Sequence, residues 1–416
     1  MGDWKPPLLE GDSEIAPPEL GVSKRGASEH AWRATRPMTL NPSATSPPDC
    51  AWLIRISEIF EAAVPTLLGQ LDSPVCTKLG HEYYLLRPAN PAALRRMPVS
   101  IFVRWSLPVH HSWPCRPRAM EGFVEKAAQA LLRKFAAEQP QALLVGLLDP
   151  SSADSYYKKL ASNLRGRALQ LFPAPAMPSP EVEAQIPDAP TLFCMLGNEG
   201  LFCGMQSPAL ANGFYPGGTK FISQNSAETI SRAGAKLAEA LHYLRLHRPP
   251  PPPPAHWLEL GASPGGMTSE LLARGYRVTA VDRAPLHPRL ASAPGLTSIC
   301  GDAATFRPPD NTRYDAILSD MNGPARDSLE AVLRLSKHLR PGGLAIFTLK
   351  TAGVSTVDDI HRLCASASAL AATGGLRLFA QTHLTYNRHE FTLFFESPAA
   401  PHSKPRSDTS SSSQPR

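Results

Sequence analysis

An α/β protein with two unlike halves is what this 416-residue sequence predicts: a doubly wound, mostly parallel sheet preceded by a smaller α+β domain. Two observations carry the prediction. From His256 onward, apolar runs of strand length alternate strictly with runs of helical period, the pattern of a parallel sheet covered on both faces. Before that, from Ala51 to Ala211, strand-like and helix-like runs are mixed without alternation. The ends fit neither half. Residues 1–50 are rich in Pro, Ser, Glu and Gly, and residues 399–416 form a polar, low-complexity tail, so both are expected to be disordered.

In the first half, "AWLIRI" and "PVSIFVRW" read as strands, "AMEGFVEKAAQALLRKFAAEQ" has helical periodicity, and "ALLVGLL" reads as a buried strand. The two apolar runs of "TLFCMLGNEGLFCGM" flank Gly-Asn-Glu-Gly, a hairpin signal. A connector leads into a helix expected from about Ala227 to His247. Six consecutive prolines, Pro249 to Pro254, then enforce an extended spacer. The second half (212–398) follows as strand "HWLEL", helix "MTSELLARG", strands "RVTAVD", "LTSIC" and "YDAILSD", helix "SLEAVLRLSKHL", strand "LAIFTLK" and helix "TVDDIHRLCASASAL". The closing runs "LRLFAQTHL" and "EFTLFFES" are expected to pair as an antiparallel hairpin at one edge.

Composition narrows the function classes. No run reaches the roughly 18 apolar residues of a membrane-spanning helix, and the acidic, proline-broken start lacks the features of a signal or transit peptide, so a cytoplasmic protein without membrane partners is expected. Seven cysteines without a C-x-x-C pair indicate neither a disulfide framework nor a zinc ribbon. No metal is expected, although His110, His111 and Cys115 lie close in sequence. Between Ala51 and Gln170, 15 Lys and Arg face 9 Asp and Glu, so the net charge there is 15 − 9 = +6, equal to that of the whole chain. A basic first half is suited to an anionic partner, with nucleic acid foremost.

The glycine-rich turn "GASPGG", Gly261 to Gly266, follows the first strand of the sheet, where open sheets of this kind bind ligands. Its spacing is not the G-x-G-x-x-G of dinucleotide folds, which disfavours a nicotinamide dehydrogenase. Three acids sharpen the reading. Asp282 stands 282 − 261 = 21 residues after Gly261, the spacing at which an acid reaches a ribose diol. Asp302 follows the third strand and Asp320 closes the fourth. Such a rim suits a nucleoside carrying positive charge, as S-adenosylmethionine does.

The stretches "SRAGAKLAEAL", "ELGASPGG", "SDMNGP", "TLK" and "YNRHEFTLF" resemble, in order, the motifs of the FtsJ-like ribose 2'-O-methyltransferases. The likeness is specific over about Ser231 to Ser397 and only architectural over 51–211. It implies a Rossmann-like methyltransferase sheet and a tetrad falling on Lys236, Asp320, Lys350 and Glu390. It also implies S-adenosylmethionine contacts at Ser231, Ser263, Pro264, Gly265, Gly266, Asp282 and Asp302, around the pocket already marked by Gly261 and Asp320. Members that methylate a cytidine of large-subunit ribosomal RNA carry a THUMP-type RNA-binding module before the catalytic domain, which implies RNA, chiefly ribosomal, as the partner of this chain. The sequence does not reveal the oligomeric state, and a monomer is the default expectation. Two positions depart from the family pattern: Met267 replaces a usual tryptophan and Glu259 a usual aspartate.

For such a reaction a lysine must act as a base. Burial and a neighbouring ammonium both disfavour its charged form, so Lys350 beside Lys236 is expected to be neutral often enough to accept a proton. The other three residues would position it. The alternative is a catalytically inactive RNA-binding scaffold that keeps the methyltransferase fold.

Overall fold

The computed structural model describes residues 50–71, 76–96, 99–151, 154–173, 185–219, 222 and 229–399. Most of the two terminal stretches expected to be disordered therefore lies outside the described residues.

The first half contains β1 (Ala51–Ile56), α1 (Val64–Gln70), β2 (Cys76–Leu79), β3 (Tyr83–Leu86), α2 (Val99–Phe102), β4 (Val103–Val109), β5 (His111–Pro114), α3 (Phe123–Phe135), β6 (Ala142–Leu147), α4 (Ser155–Leu171), β7 (Thr191–Gly197), β8 (Gly200–Gln206) and α5 (Pro208–Ala211). These strands make two four-stranded sheets, ordered β2-β3-β1-β4 and β5-β8-β7-β6. On α3 the buried residues Phe123, Ala127, Leu131 and Phe135 recur every four positions, and this stripe packs with Leu160 and Leu164 of α4 against Leu192 and Cys194. The α4 helix starts where the Asp154 side chain accepts from the Tyr156 N–H. One expected strand is partly helical: Val99–Phe102 form a helical turn before β4, with Val99, Ile101 and Phe102 buried, so tertiary packing overrides the strand propensity of the run.

The second half contains α6 (Ala233–Leu244), β9 (His256–Leu260), α7 (Gly266–Ala273), β10 (Arg277–Asp282), β11 (Leu296–Cys300), β12 (Tyr314–Ser319), α8 (Ala325–Ser336), β13 (Leu339–Lys350), α9 (Val357–Thr373), β14 (Arg377–Thr382) and β15 (Glu390–Glu396). They form one seven-stranded sheet, ordered β11-β10-β9-β12-β13-β15-β14, parallel from β11 to β13. The strand order reverses between β9 and β12, which opens a crevice at their carboxyl ends. The final hairpin is antiparallel, but β15 is its inner strand, paired with both β13 and β14. Burial explains this. Residues Glu390 to Phe395 are buried throughout, whereas β14 is half-exposed and tolerates the edge.

The described residues from Cys50 onward belong to one compact unit, and a continuous core joins the two halves. Trp52, Phe60 and Phe102 share a cluster with Phe347, Phe391 and Leu393. The Phe60 ring stacks on Phe391 at 5.4 Å with an interplanar angle of 10°, and Phe102 meets Phe391 edge-on at 5.7 Å.

Candidate active site

The crevice is built from the ends of five strands and one helix. Lys236 projects from α6, Asp320 is the residue after β12, Lys350 ends β13 and Glu390 begins β15. Antiparallel pairing of β13 with β15 sets Lys350 directly opposite Glu390, so both side chains leave the same face of the sheet.

The four tips alternate in charge around a ring. Asp320 accepts from Lys236 Nζ at 2.9 Å and from Lys350 Nζ at 2.7 Å, using a different oxygen for each. Glu390 accepts from Lys350 Nζ at 2.6 Å and closes the ring onto Lys236. All four are largely withdrawn from solvent, but the Lys350 side chain is the most open at 20% exposed, against 11–14% for the others. A ligand entering the crevice therefore meets Lys350 first.

The charge state differs from the expectation drawn from sequence. Burial alone would lower the Lys350 value, yet the Asp320 and Glu390 carboxylates outweigh it and hold the ammonium above the ordinary lysine value. Asp320 shows the converse. Burial would raise it, but Lys236 and Lys350 hold it below the usual carboxylate value. Asp320 and Glu390, expected only to position the amines, also hold the proton on Lys350.

Across the switch point lie the other singled-out residues. Gly261, at φ +78°, turns the chain out of β9 so closely against the next strand end that an added Cβ would stand 3.0 Å from Met321 Cα. The turn is stitched to the segment after β10. Ser263 N–H donates to Asp282 Oδ2 at 3.0 Å, Ser263 Oγ donates to the Pro285 carbonyl, and the Pro264 carbonyl accepts from His287 N–H. Asp282 and Asp302 each cap a local turn as well, with Oδ1 accepting from Ala284 N–H and Ala304 N–H respectively, both at 2.8 Å.

Gly265 and Gly266 open α7, and a Cβ at Gly266 would lie 2.1 Å from Ser231 Oγ. That hydroxyl is buried and has no hydrogen-bond partner among the described residues. An orphaned hydroxyl beside a helix start, with carboxylates at the next two strand ends, fits a ligand offering polar groups and a positive charge.

The two departures from the family pattern lie beneath the turn. Met267 is a core residue packed among Trp257, Ala262 and Leu271. Glu259 is 2% exposed and accepts from Thr268 Oγ1 at 2.7 Å. Burial, reinforced by the nearby Asp320 and Asp282 charges and opposed by the Thr268 bond, pushes Glu259 up to about 8. Its stability effect follows from linkage. Between the ordinary value of 4.5 and about 8 the unfolded chain releases this proton while the folded one keeps it, so stability falls as pH rises through that window. The fall approaches about 1.4 kcal/mol per pH unit. Glu259→Gln should remove this slope, read as urea midpoints at about pH 5 and about pH 8. Equal slopes in the variant and the parent protein would refute the assignment.

Two charged residues escaped the sequence reading. Glu239, three residues after Lys236 on α6, is fully buried, and Arg104 on β4 is 5% exposed. The signal was present. A charge inside an apolar run, as in "IFVRW" and "AKLAEAL", calls for a buried partner.

Residues 229–370 match the FtsJ-like methyltransferase family model, a class whose methyl donor is S-adenosylmethionine. Glu390 lies beyond the matched residues. The chain is 36% identical over 167 residues to the ribosomal RNA large subunit methyltransferase M of Halorhodospira halophila, covering 39% of this chain and 46% of that protein. The proteins of the same name from Xylella fastidiosa strain M12 and Tolumonas auensis are 33% and 27% identical over 172 and 224 residues. These alignments cover 40% and 52% of this chain, and 47% and 58% of the relatives. The chain thus spans about half the length of the curated relatives it matches. Among the described residues, no helix is long and apolar enough to cross a membrane.

Proposed function

We propose that the protein methylates a ribose 2'-hydroxyl in RNA, a cytidine of large-subunit ribosomal RNA, through Lys236, Asp320, Lys350 and Glu390. The observation that carries this reading is the closed ring of alternating charges beside the crevice. Bound S-adenosylmethionine supplies an electrophilic methyl group on sulfonium. Ser231, Gly261, Ser263, Pro264, Gly265, Gly266, Asp282 and Asp302 would hold it, the carboxylates suiting its positive charge. The chain's own task is to align a hydroxyl and remove its proton.

Lys350, the most open member of the ring, takes that proton, while Asp320, Glu390 and Lys236 fix where its Nζ stands. Only the neutral amine can accept, and the two carboxylates keep that form scarce. The rate should therefore climb about tenfold per pH unit from about pH 6 to about pH 9 in single-turnover assays. A plateau already at about pH 6 would give the proton to a carboxylate instead. The basic first half, with its 15 Lys and Arg against 9 Asp and Glu over residues 51–170, would grip RNA phosphates as a THUMP-like module does.

The reading is tested with methyl-tritiated S-adenosylmethionine and unmodified ribosomal RNA. Label should appear in alkali-resistant dinucleotides, the mark of a blocked 2'-hydroxyl. Label on a base, or none, would overturn it.

A further inference from the structure

Lys236 and Glu239 share one helix and serve different partners. Lys236 joins the ring, while Glu239 turns to the segment 383–389 that delivers Glu390 to it. Glu239 Oε1 accepts from Thr385 N–H at 3.1 Å and from Arg104 Nη2 at 3.3 Å, and Oε2 accepts from Tyr386 N–H at 3.3 Å. The Glu239 side chain is fully buried, so its carboxylate depends on these contacts for the solvation it has lost.

Arg104 belongs to the first half of the molecule. Its guanidinium also donates to the carbonyls of Asn212 at 3.1 Å and of Gly218, and lies over the Tyr243 ring at 5.3 Å. The same segment is tied a second time. Thr385 Oγ1 meets Thr219 Oγ1 at 3.0 Å, and Tyr386 OH bonds to both the N–H and the carbonyl of Ile222. Phe391, the residue after Glu390, packs against both Phe60 and Phe102, which also touch each other.

We infer that Arg104 and Glu239 are positioning residues of the transfer reaction: through Thr385 and Tyr386 they set Glu390 at the distance from which it engages both lysines. This rests on the methyltransferase reading above. It gives the first half a part in the chemistry besides any grip on RNA. A Glu390 displaced by even an ångström would hold the Lys350 proton less firmly and present its amine less accurately.

The test compares full-length Glu239→Gln and the milder Arg104→Lys with the parent protein, each first shown to melt cooperatively. In Glu239→Gln, kcat should fall about 10- to 100-fold while the S-adenosylmethionine Kd, read by calorimetry, stays within about twofold. The rising limb of the pH–rate profile should also move to lower pH, as it should in Glu390→Gln, because Lys350 has lost a carboxylate that holds its proton. Simple destabilisation would not move that limb. Arg104→Lys keeps the charge and loses the fork, and should show the same changes to a smaller degree. Parent-like kcat and an unmoved limb in both folded variants would overturn the inference alone. A parent protein that transfers no methyl group to RNA would instead overturn the functional reading on which it rests.

Discussion

Lys350→Met lowers kcat by about 10²- to 10⁴-fold, the span expected for loss of a positioned base. Methionine keeps the stem that packs at the end of β13 and removes the amine, so the fold should survive. Cofactor affinity should be nearly unchanged, because the turn and the acids Asp282 and Asp302 belong to β9, β10 and β11, on the other side of the switch point. Lys350→Arg is the sharper probe. A guanidinium can keep both ion pairs with Asp320 and Glu390 but cannot give up a proton near neutral pH. If Lys350 acts as a base, the arginine variant is as inactive as the methionine one in single-turnover transfer. Arginine activity within about tenfold of the parent would reduce the lysine to a source of charge.

Asp320→Asn should carry the largest cost in stability among the ring members. It removes the carboxylate that separates two ammonium groups, leaving Lys236 and Lys350 to share Glu390 alone. Breaking one side of such a buried pair costs on the order of 3 kcal/mol. The sign of its pH dependence is fixed. Although burial opposes ionisation, the two lysines hold Asp320 below its ordinary value, so its contribution is present above the usual carboxylate range and is lost as pH falls through the folded value. Guanidinium midpoints of parent and variant should therefore differ clearly at about pH 7 and converge towards about pH 3. A difference that persists undiminished in acid would trace the loss to packing. Transfer should fall as well, since Lys350 loses the partner at 2.7 Å that fixes its Nζ.

Much of the parallel sheet was legible because its strands are continuous apolar runs separated by helical periods. "HWLEL", "RVTAVD" and "LAIFTLK" all lie in observed strands. The closing hairpin at one edge was legible too, but not which of its strands lies inside, although its second run, "FTLFF", is the more apolar of the two. The first half was harder. β2 and β3 have four residues each, too few for a period to show, and the stripe of Leu160, Leu164 and Ala168 on α4 is diluted by Lys158 and Lys159 before it and by Arg165, Gly166 and Arg167 within it.

The site divides in the same way. Which residue types stand at the strand ends is a property of the chain and could be read along it. That Lys350 lies opposite Glu390 depends on pairing register between strands distant in sequence. The charge state of Lys350 depends on carboxylates delivered by two other strands, β12 and β15. The reach of Arg104 to Glu239 crosses 135 positions and left only the oddity of a charge in an apolar setting.

The stacked and edge-on rings of Phe60, Phe102 and Phe391 fasten the first half of the molecule to the strand that carries Glu390. Loosening that packing would therefore be felt at the crevice as well as in the core.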